Sequence, residues 1–414
     1  MTQTPADTST VARAVPEGEQ IFYGIMSDPM NDDPYSGYHR LRETAPALVT
    51  SDGTLVLTRH ADCDAALRHR GLGKTTDMRG YLLTPVAEDE FAKAMALLQR
   101  SMSFANPPEH NRLRQPVASA FNNRHVEALR ASVTSRTDAL LDQLAAAPGT
   151  DFMNTVAKPL PVSVMADLLG LPEADRAVIT PKFRQFAAMA EPVVDADVFA
   201  RATAAQAELA AYFATLLTDK REHPADDLLS RLALAGDDLD ETEIVSTVLL
   251  LFGAGIETTT NLLGNGLHAL LTHPDQLDRL RADPSLIPSA VEELLRYDSP
   301  VHLDARTVLE PLTFLGAELT PGQTVTTIIG AANRDPERFE DPDRFDIGRQ
   351  DNAHLSFAAG AHFCLGAHLT RLEAQVFLER LLSRHTTISL DEAPQRRAGL
   401  GLRGFARLAV TLHS

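Results

Sequence analysis

The chain has 414 residues, of which 44% are hydrophobic, and a formal net charge of −18 at pH 7. That charge repels phosphate, so nucleic acid is excluded as an expected partner. The longest apolar run, residues 248–256, is too short to cross a bilayer, so we expect no membrane span and a cytoplasmic protein. Two cysteines, Cys63 and Cys364, are too few for a disulfide framework or a built-in iron–sulfur cluster.

The composition is rich in Ala and Leu and predicts a mainly α fold with small β-sheets. Residues 1–18 are polar and predict a flexible tail, and residues 19–414 are expected to form a single domain because no linker-like stretch divides them. A helix is predicted over 33–45, and a hairpin over 47–58 turns at Asp52-Gly53. Further helices are predicted over 61–70, 108–121, 125–147, 154–169, 184–189 and 195–217. Short strands are expected over 307–329 and 400–412, whereas 82–98 has no clear period.

The longest predicted helix runs from Asp240 to about His273, and Asp240 and Glu243 have the spacing of a capping box. Its centre, residues 253–259, reads GAGIETT. Two glycines cost about 1 kcal/mol each relative to alanine, and a threonine there can bond back to a carbonyl. The pattern predicts a kink or π-bulge at a functional site, with a glycine-mediated helix contact as the alternative.

A second stretch, residues 357–371, reads FAAGAHFCLGAHLTR and places Cys364 just before a helical pattern. Unsatisfied backbone N–H groups and the helix dipole favour thiolate over thiol at such a position. A thiolate is an axial ligand for haem iron that favours O–O cleavage. A lone cysteine is more often a small buried apolar residue, so the spacing of the whole stretch carries the argument.

That spacing closely resembles the haem-binding loop of the cytochrome P450 family, the haem-thiolate monooxygenases, at Phe357, Gly360, His362, Cys364 and Gly366. The resemblance implies a triangular, mainly α fold with a long central distal helix. It also implies haem b (iron protoporphyrin IX) as the cofactor, with Cys364 as the metal ligand. Ala358 departs from the family, which usually has glycine at that position.

The centre of the long helix matches the family's acid–alcohol motif at Ala254, Gly255, Glu257 and Thr258. The resemblance implies that Ala254 leaves room for oxygen and substrate. It makes Thr258 and Glu257 the catalytic residues, with the hydroxyl directing protons to the oxygen and the carboxylate bringing them from solvent. The motif favours turnover with O2 over a peroxygenase driven by hydrogen peroxide. That alternative stays open, as does a non-catalytic haem-thiolate binding or sensing protein.

Haem propionates need cations or strong donors when they are partly buried. The residues that match the family's propionate contacts are His110, Arg114, Arg306 and His362. His110 and Arg114 are four residues apart, so they share one helix face. With Phe357, Gly366 and Ala254 they form the implied cofactor-binding set.

Glu293 and Arg296 match the family's Glu-x-x-Arg pair, which the resemblance makes a buried structural lock on the segment before the cysteine. Arg344 is the expected third member, and Arg338 is the alternative. Without the resemblance, the pair would be an ordinary surface contact of little energetic value.

The substrate pocket is the least readable part of the sequence. By the resemblance, an access lid is formed by residues 82–98 and by the helix pair around Phe183, Phe186 and Met189. The candidate pocket walls are Leu250, Ala254, His302, Leu303 and Leu402. Most of these side chains are apolar, which predicts a lipophilic small molecule as the substrate.

The resemblance therefore predicts a monooxygenase of secondary metabolism that inserts one atom of O2 into a lipophilic molecule, by hydroxylation or epoxidation. The chain has no glycine-rich dinucleotide fingerprint. Electrons are therefore expected from NAD(P)H through a separate reductase and a ferredoxin or flavodoxin. A basic docking patch that includes Arg112 is one hypothesis for that partner.

Overall fold

The computed structural model describes residues 12–13, 16–28, 32–74, 88–190, 196–234 and 239–413. The predicted mainly α fold with small sheets is confirmed. Within these residues the helices are α1 (Pro16–Met26), α2 (Tyr35–Thr44), α3 (His60–Arg68), α4 (Glu88–Leu98), α5 (Glu109–Ala118), α6 (Asn123–Ala128), α7 (Arg130–Ala145), α8 (Pro159–Leu169), α9 (Glu173–Ala187), α10 (Ala196–Glu222), α11 (Leu228–Ala233), α12 (Glu241–Thr272), α13 (Pro274–Ala282), α14 (Ile287–Tyr297), α15 (Ile329–Ala332) and α16 (Ala367–Arg384).

The strands are β1 (Ala12–Arg13), β2 (Ala47–Val49), β3 (Leu55–Leu57), β4 (Leu72–Gly73), β5 (Thr150–Asp151), β6 (Leu303–Val308), β7 (Leu312–Phe314), β8 (Ala317–Leu319), β9 (Thr324–Ile328), β10 (Thr387–Leu390), β11 (Gln395–Arg396), β12 (Phe405–Arg407) and β13 (Ala409–His413). The largest sheet has the order β1-β2-β3-β9-β6-β4, and the smaller ones are β10-β13-β5, β11-β12 and β7-β8. The predicted hairpin is β2–β3, antiparallel, with Gly53 at a φ of 87° in its turn.

Several predicted boundaries differ from the structure; the helix predicted over 184–189, for example, falls mainly on the last part of α9. Residues 12–13 form β1 and α1 begins at Pro16, so part of the segment predicted as a tail has regular secondary structure. The helix predicted over 154–169 opens with a π-helical turn, Met153–Ala157, because Pro159 has no N–H to continue an α-helical ladder. The last part of 82–98 forms α4, and residues 82–87 lie outside the described residues. A single domain over 19–414 stays a prediction.

Helix α12 passes through the middle of the helical layer, where it contacts α8, α9, α10, α14 and α16. The predicted capping box is present, since the Asp240 side chain accepts from the Glu243 N–H and the Glu243 side chain accepts from the Asp240 N–H. The helix is long and apolar enough to cross a membrane, but 61% of its most apolar window is buried inside the protein. Such burial is typical of a core helix.

Of the kink or π-bulge predicted in α12, the π-bulge is wrong, because the helix is α-helical from Glu241 to Thr272, and a kink stays a prediction. The glycines serve helix packing instead. A Cβ on Gly255 would lie 2.9 Å from the Met165 sulfur of α8, and one on Gly253 would lie 3.2 Å from the Phe186 ring of α9. The alternative of a glycine-mediated contact accounts for both positions.

Glu293 and Arg296 on α14 are fully buried and form two hydrogen bonds of 2.8 Å with each other. The prediction for the third member is wrong: the second guanidinium at Glu293 belongs to Arg349, whose Nε lies 3.2 Å from Oε2. Arg344 contributes its backbone carbonyl, which accepts from both Arg296 and Arg349. Arg338 pairs with Asp351 instead.

We expect Arg349→Ala to lower the free energy of unfolding by about 2 kcal/mol, because a buried carboxylate loses one of its two cations. Arg344→Ala is the matched control and should cost less than about 0.5 kcal/mol, since its backbone carbonyl stays in place. Urea unfolding followed by circular dichroism measures both. Equal losses in the two variants would contradict the assignment of Arg349.

Glu373 lies on α16 and is 1% exposed, and its Oε2 has no hydrogen-bond partner among the described residues. Burial raises the pKa of Glu373 from 4.5 to about 8. Between these values the folded state binds a proton that the unfolded state has lost. The free energy of unfolding therefore falls as the pH rises through this window, by at most about 1.4 kcal/mol per pH unit.

We expect Glu373→Gln to be more stable than the parent by about 3 kcal/mol at about pH 8 and by little at about pH 5. The substitution keeps the shape of the protonated carboxyl and removes its titration. Glu379→Gln on the same helix is the control, since the Glu379 side chain is 46% exposed. Urea unfolding across this pH range measures the free energy of unfolding of each variant. A difference between Glu373→Gln and the parent that does not change with pH would contradict the prediction.

Candidate active site

The loop before α16 presents Cys364 at the N-terminal end of that helix. The Cys364 N–H donates to the Phe357 carbonyl at 2.9 Å, which closes the loop on itself. Gly360 has a φ of 72°, and a Cβ there would lie 2.6 Å from the Leu67 carbonyl at the end of α3. Ala358 also adopts the left-handed region, with a φ of 55°, where glycine is the favoured residue.

Burial is the largest effect and raises the pKa of the Cys364 thiol. The N–H groups of Gly366 and Ala367, together with Arg114 and Arg371, oppose that rise and lower the pKa. The position thus supplies hydrogen-bond donors and cations to a sulfur anion.

The four predicted propionate contacts come together from three separate elements. The rings of His110 on α5 and His362 are 4.4 Å apart, and Arg114 donates to the Phe363 carbonyl at 2.8 Å. His110 and Arg306 are each 1% exposed. The His110 Nε2 and the Arg306 Nη2 have no hydrogen-bond partner in the described chain. Buried polar atoms of this kind require a hydrogen-bond partner.

Sequence reasoning missed a third cationic contact in this cluster, Lys74. Its Nζ lies 2.8 Å from Asp304, which also pairs with Arg306. Burial alone would raise the pKa of Asp304, but Arg306 and Lys74 lower it. The Asn106 side-chain amide accepts from the Lys74 backbone N–H and donates to the Lys74 backbone carbonyl, each at 2.8 Å. Only the tertiary structure brings residues so distant in sequence to one cluster.

These residues fit a haem. The unpartnered polar atoms of His110 and Arg306, with Arg114 and His362 beside them, suit a pair of carboxylates. Cys364, with two N–H groups near its sulfur, lies just before the N-terminal end of α16. Phe357 is buried beneath the Arg371 guanidinium at 4.5 Å, and Arg371 is held by Glu292 at 2.7 Å. Gly366 is the N-cap of α16, where a Cβ would lie 4.0 Å from the Cys364 sulfur.

On α12, Ala254 is exposed and Thr258 is half-buried, although the helix around them is buried. They are four residues apart and therefore share one face, which borders open space. The Thr258 hydroxyl donates to the Ala254 carbonyl at 2.7 Å. Glu257 forms an ion pair with Arg397, with 2.7 Å between Oε2 and Nη1.

The predicted substrate walls divide into two groups. Leu250 and Leu402 are half-buried and Ala254 is exposed, so these three remain candidates. The prediction for His302 and Leu303 is wrong. The His302 side chain is fully buried and lies 2.9 Å from the Tyr38 hydroxyl of α2, and Leu303 packs into the same core cluster.

The lid and docking predictions also change. Phe183 and Phe186 are buried, and Phe183 stacks on Phe252 of α12 at 3.9 Å, so this part of the helix pair belongs to the core.

Arg112 pairs with Glu109 at 2.5 Å and with Glu243 at 2.6 Å. Two carboxylates neutralise its charge, so Arg112 does not supply the expected basic patch.

Comparison with known proteins bears on this site. A family model described as cytochrome P450 matches residues 200–402. The cytochrome P450 monooxygenase PikC of Streptomyces venezuelae is 40% identical over 382 residues, covering 90% of this chain and 88% of that protein. The vitamin D(3) 25-hydroxylase of Pseudonocardia autotrophica is 38% identical over 402 residues, covering 94% and 96%.

A solved structure gives the same result. The crystal structure of P450BioI in complex with a hexadec-9Z-enoic acid-ligated acyl carrier protein matches with a TM-score of 0.87 at 34% identity. The match covers 94% of this chain and 100% of that one. Similarity of this extent, together with a cysteine loop and donor cluster that fit a haem, shows that the chain belongs to the cytochrome P450 family of haem b-dependent monooxygenases.

Proposed function

We propose that this monooxygenase uses O2 to hydroxylate or epoxidise a lipophilic small molecule, with Cys364 as the iron ligand. The observation that carries the proposal is the convergence of three features. Cys364 lies just before α16, and the unpartnered polar atoms of His110 and Arg306 lie beside its loop. Helix α16 contacts α12, and the hydroxyl of Thr370 on α16 lies 3.4 Å from that of Thr259 on α12. Haem held by a thiolate, when bound, reduces O2 with two electrons and two protons, transfers one oxygen atom and releases the other as water.

The chain's own residues have separate roles in this proposal. His110, Arg114, Arg306 and His362 hold the propionates. Ala254 leaves space on α12, Thr258 holds or passes a proton at its hydroxyl, and Glu257 supplies protons from solvent. Gly366 and Phe357 shape the loop around Cys364, and the Glu293–Arg296–Arg349 network fixes the segment that leads to it. The contacts described above support the binding roles, and the resemblance of the α12 motif supports the roles of Thr258 and Glu257.

Electrons are proposed to come from NAD(P)H through a reductase and a ferredoxin or flavodoxin, in the cytoplasm. The peroxygenase alternative predicts turnover with hydrogen peroxide alone. Comparing product formed with peroxide against product formed with NADH and a ferredoxin system separates the two. A protein that only binds or senses a ligand would give product in neither assay.

The substrate is proposed to be lipophilic because Leu250, Ala254 and Leu402 offer apolar surface. Two relatives suggest probes: one is named for vitamin D(3) hydroxylation, and the other was solved with a hexadec-9Z-enoic acid-ligated carrier protein. Vitamin D3 and hexadec-9Z-enoic acid are therefore the first compounds for a screen of Soret-band spin-state shifts. A secondary metabolite of similar apolarity is the expected natural class.

We expect the reduced, carbon monoxide-treated protein to show the absorption of thiolate coordination and Cys364→Ser to lose it. The serine hydroxyl cannot supply the soft sulfur donor. Cys63→Ser is the matched control because Cys63 is the other cysteine and lies buried elsewhere. Loss of the spectrum in the Cys63 variant alone, or its survival in Cys364→Ser, would contradict the ligand assignment.

We expect Thr258→Ala to lower product formed per NADH at least about tenfold, with hydrogen peroxide released instead, because proton delivery loses its hydroxyl. Thr272→Ala is the control on the same helix, since its hydroxyl also bonds back four residues, to the His268 carbonyl at 2.9 Å. Coupling is measured as product and peroxide per NADH consumed. Unchanged coupling in Thr258→Ala would remove Thr258 from the proton route.

A further inference from the structure

Asp304 on β6 is a carboxylate inside the cationic cluster that fits the haem propionates. Residues two apart in a strand share one face, so Asp304 and Arg306 lie side by side. The Arg306 Nη1 donates to the Asp304 Oδ1, and the same oxygen accepts from the Lys74 Nζ at 2.8 Å. The other terminal nitrogen of Arg306, Nη2, is the one without a partner among the described residues. Asp304 thus occupies one end of the guanidinium and leaves the other end for a propionate.

Lys74 is held in this cluster by its own backbone. It directly follows β4, which pairs antiparallel with β6 through Gly73 and Thr307, so the register brings Lys74 to the level of Arg306. The Asn106 side-chain amide bonds both the N–H and the carbonyl of Lys74. A carboxylate at position 106 could accept from the N–H but could not donate to the carbonyl. A Cβ on Gly73 would collide with the Asn106 Oδ1, so this close approach requires glycine.

The Lys74 and Asp304 side chains depend on each other for their charge. They are 23% and 17% exposed, and the Lys74 Nζ also donates to the Ala305 carbonyl at 2.9 Å. Burial lowers the pKa of Lys74, and Asp304 opposes that effect. Charges shielded from water act more strongly on their neighbours than charges on an open surface. Removing one partner would therefore leave an uncompensated charge next to Arg306.

The fixed charges of the cluster balance those of two propionates. Lys74, Arg114 and Arg306 are three cations and Asp304 is one carboxylate, so together they carry a formal charge of +2. The two propionates of a haem carry the opposite charge when both are ionised. Without Lys74, the carboxylate of Asp304 would cancel Arg306, and one propionate would have no cation to balance it.

We propose that Lys74 is a positioning residue that holds Asp304 and offsets its charge, so that Arg306 keeps its positive charge for a propionate and the haem iron is easier to reduce. The proposal rests on the propionate contacts proposed above. Reduction adds one electron, supplied by the proposed ferredoxin or flavodoxin, and so adds one negative charge to the haem. A cation nearby favours the state with the additional negative charge.

The test is a redox titration of the haem-loaded protein without substrate, followed at the Soret band. We expect Lys74→Met to lower the ferrous-to-ferric ratio at a fixed applied potential about threefold, a shift of about 30 mV at about 59 mV per tenfold change. Asp304→Asn should raise the ratio by about the same factor, and the double variant should return it to the parent value. A parent-like ratio in Lys74→Met, shifts of the same sign in the two single variants, or a double variant far from the parent overturns the proposal.

Two further variants separate charge from stability. Lys74→Arg keeps the charge and should keep the parent ratio. Lys220→Met is the matched control, because Lys220 also pairs with a buried aspartate, Asp227, at 2.6 Å, but on α10 and outside the cluster. It should lower the unfolding midpoint and leave the ratio unchanged. A shift in Lys220→Met as large as that in Lys74→Met would mean that the ratio follows stability, and it would overturn the proposal.

Arg306→Gln tests the propionate contacts separately, through the rate of haem transfer to apomyoglobin. We expect this variant to release haem at least about fivefold faster, because a propionate loses its guanidinium. Unchanged release, with the expected ratios in the Lys74 and Asp304 variants, would contradict the propionate assignment of Arg306 and leave the charge effect of Lys74 supported. Faster release in Arg306→Gln, with a parent-like ratio in Lys74→Met, would contradict the Lys74 proposal alone.

Discussion

The buried carboxylate of Glu293 is the constraint on which the active-site side of this protein depends. An ionised group at 0% exposure is costly unless donors surround it, and here Arg296, Arg349, Asn352 and the Asp346 N–H all donate to it. Arg296 in turn donates to the carbonyls of Asn333, Pro342 and Arg344. The Glu293–Arg296 pair thus connects α14 to the segment that leads to Cys364. Between α15 and the cysteine loop, this segment has no regular secondary structure.

The cysteine loop and α12 form the two sides of the site because each is held by a different kind of interaction. The loop is held by polar contacts and by close backbone approach, as at Gly360 against α3. Helix α12 is held by apolar packing, which its glycines bring close to α8 and α9. Beside the loop, the buried His110 Nε2 and Arg306 Nη2 have no hydrogen-bond partner among the described residues. A buried polar atom without a partner is costly, so a bound carboxylate that pairs with these atoms is favourable.

The parts of this arrangement that depend on residues close together in the sequence could be predicted. The capping box at Asp240, the hairpin turn at Gly53 and the cysteine loop all depend on residues within a few positions of one another. The errors arise where distant elements meet. His302 has the position of a pocket residue in sequence, but Tyr38 of α2 binds its ring in the core. Arg344 has the expected spacing from the cysteine, but the backbone turns so that its carbonyl faces Arg296 while Arg349 reaches Glu293.

The family, the cofactor and the order of the helices could be inferred from the residues alone, because these depend on short motifs and on periodic apolar faces. The tertiary structure alone decided which arginine completes the Glu293 network and which apolar residues border the open face of α12. It also decided that Glu257 meets Arg397, since 140 residues separate them and only the packing of the β11–β12 hairpin on α12 brings them together. Long-range contacts of this kind follow from the fold as a whole, in which each side chain's partner depends on how every intervening element packs.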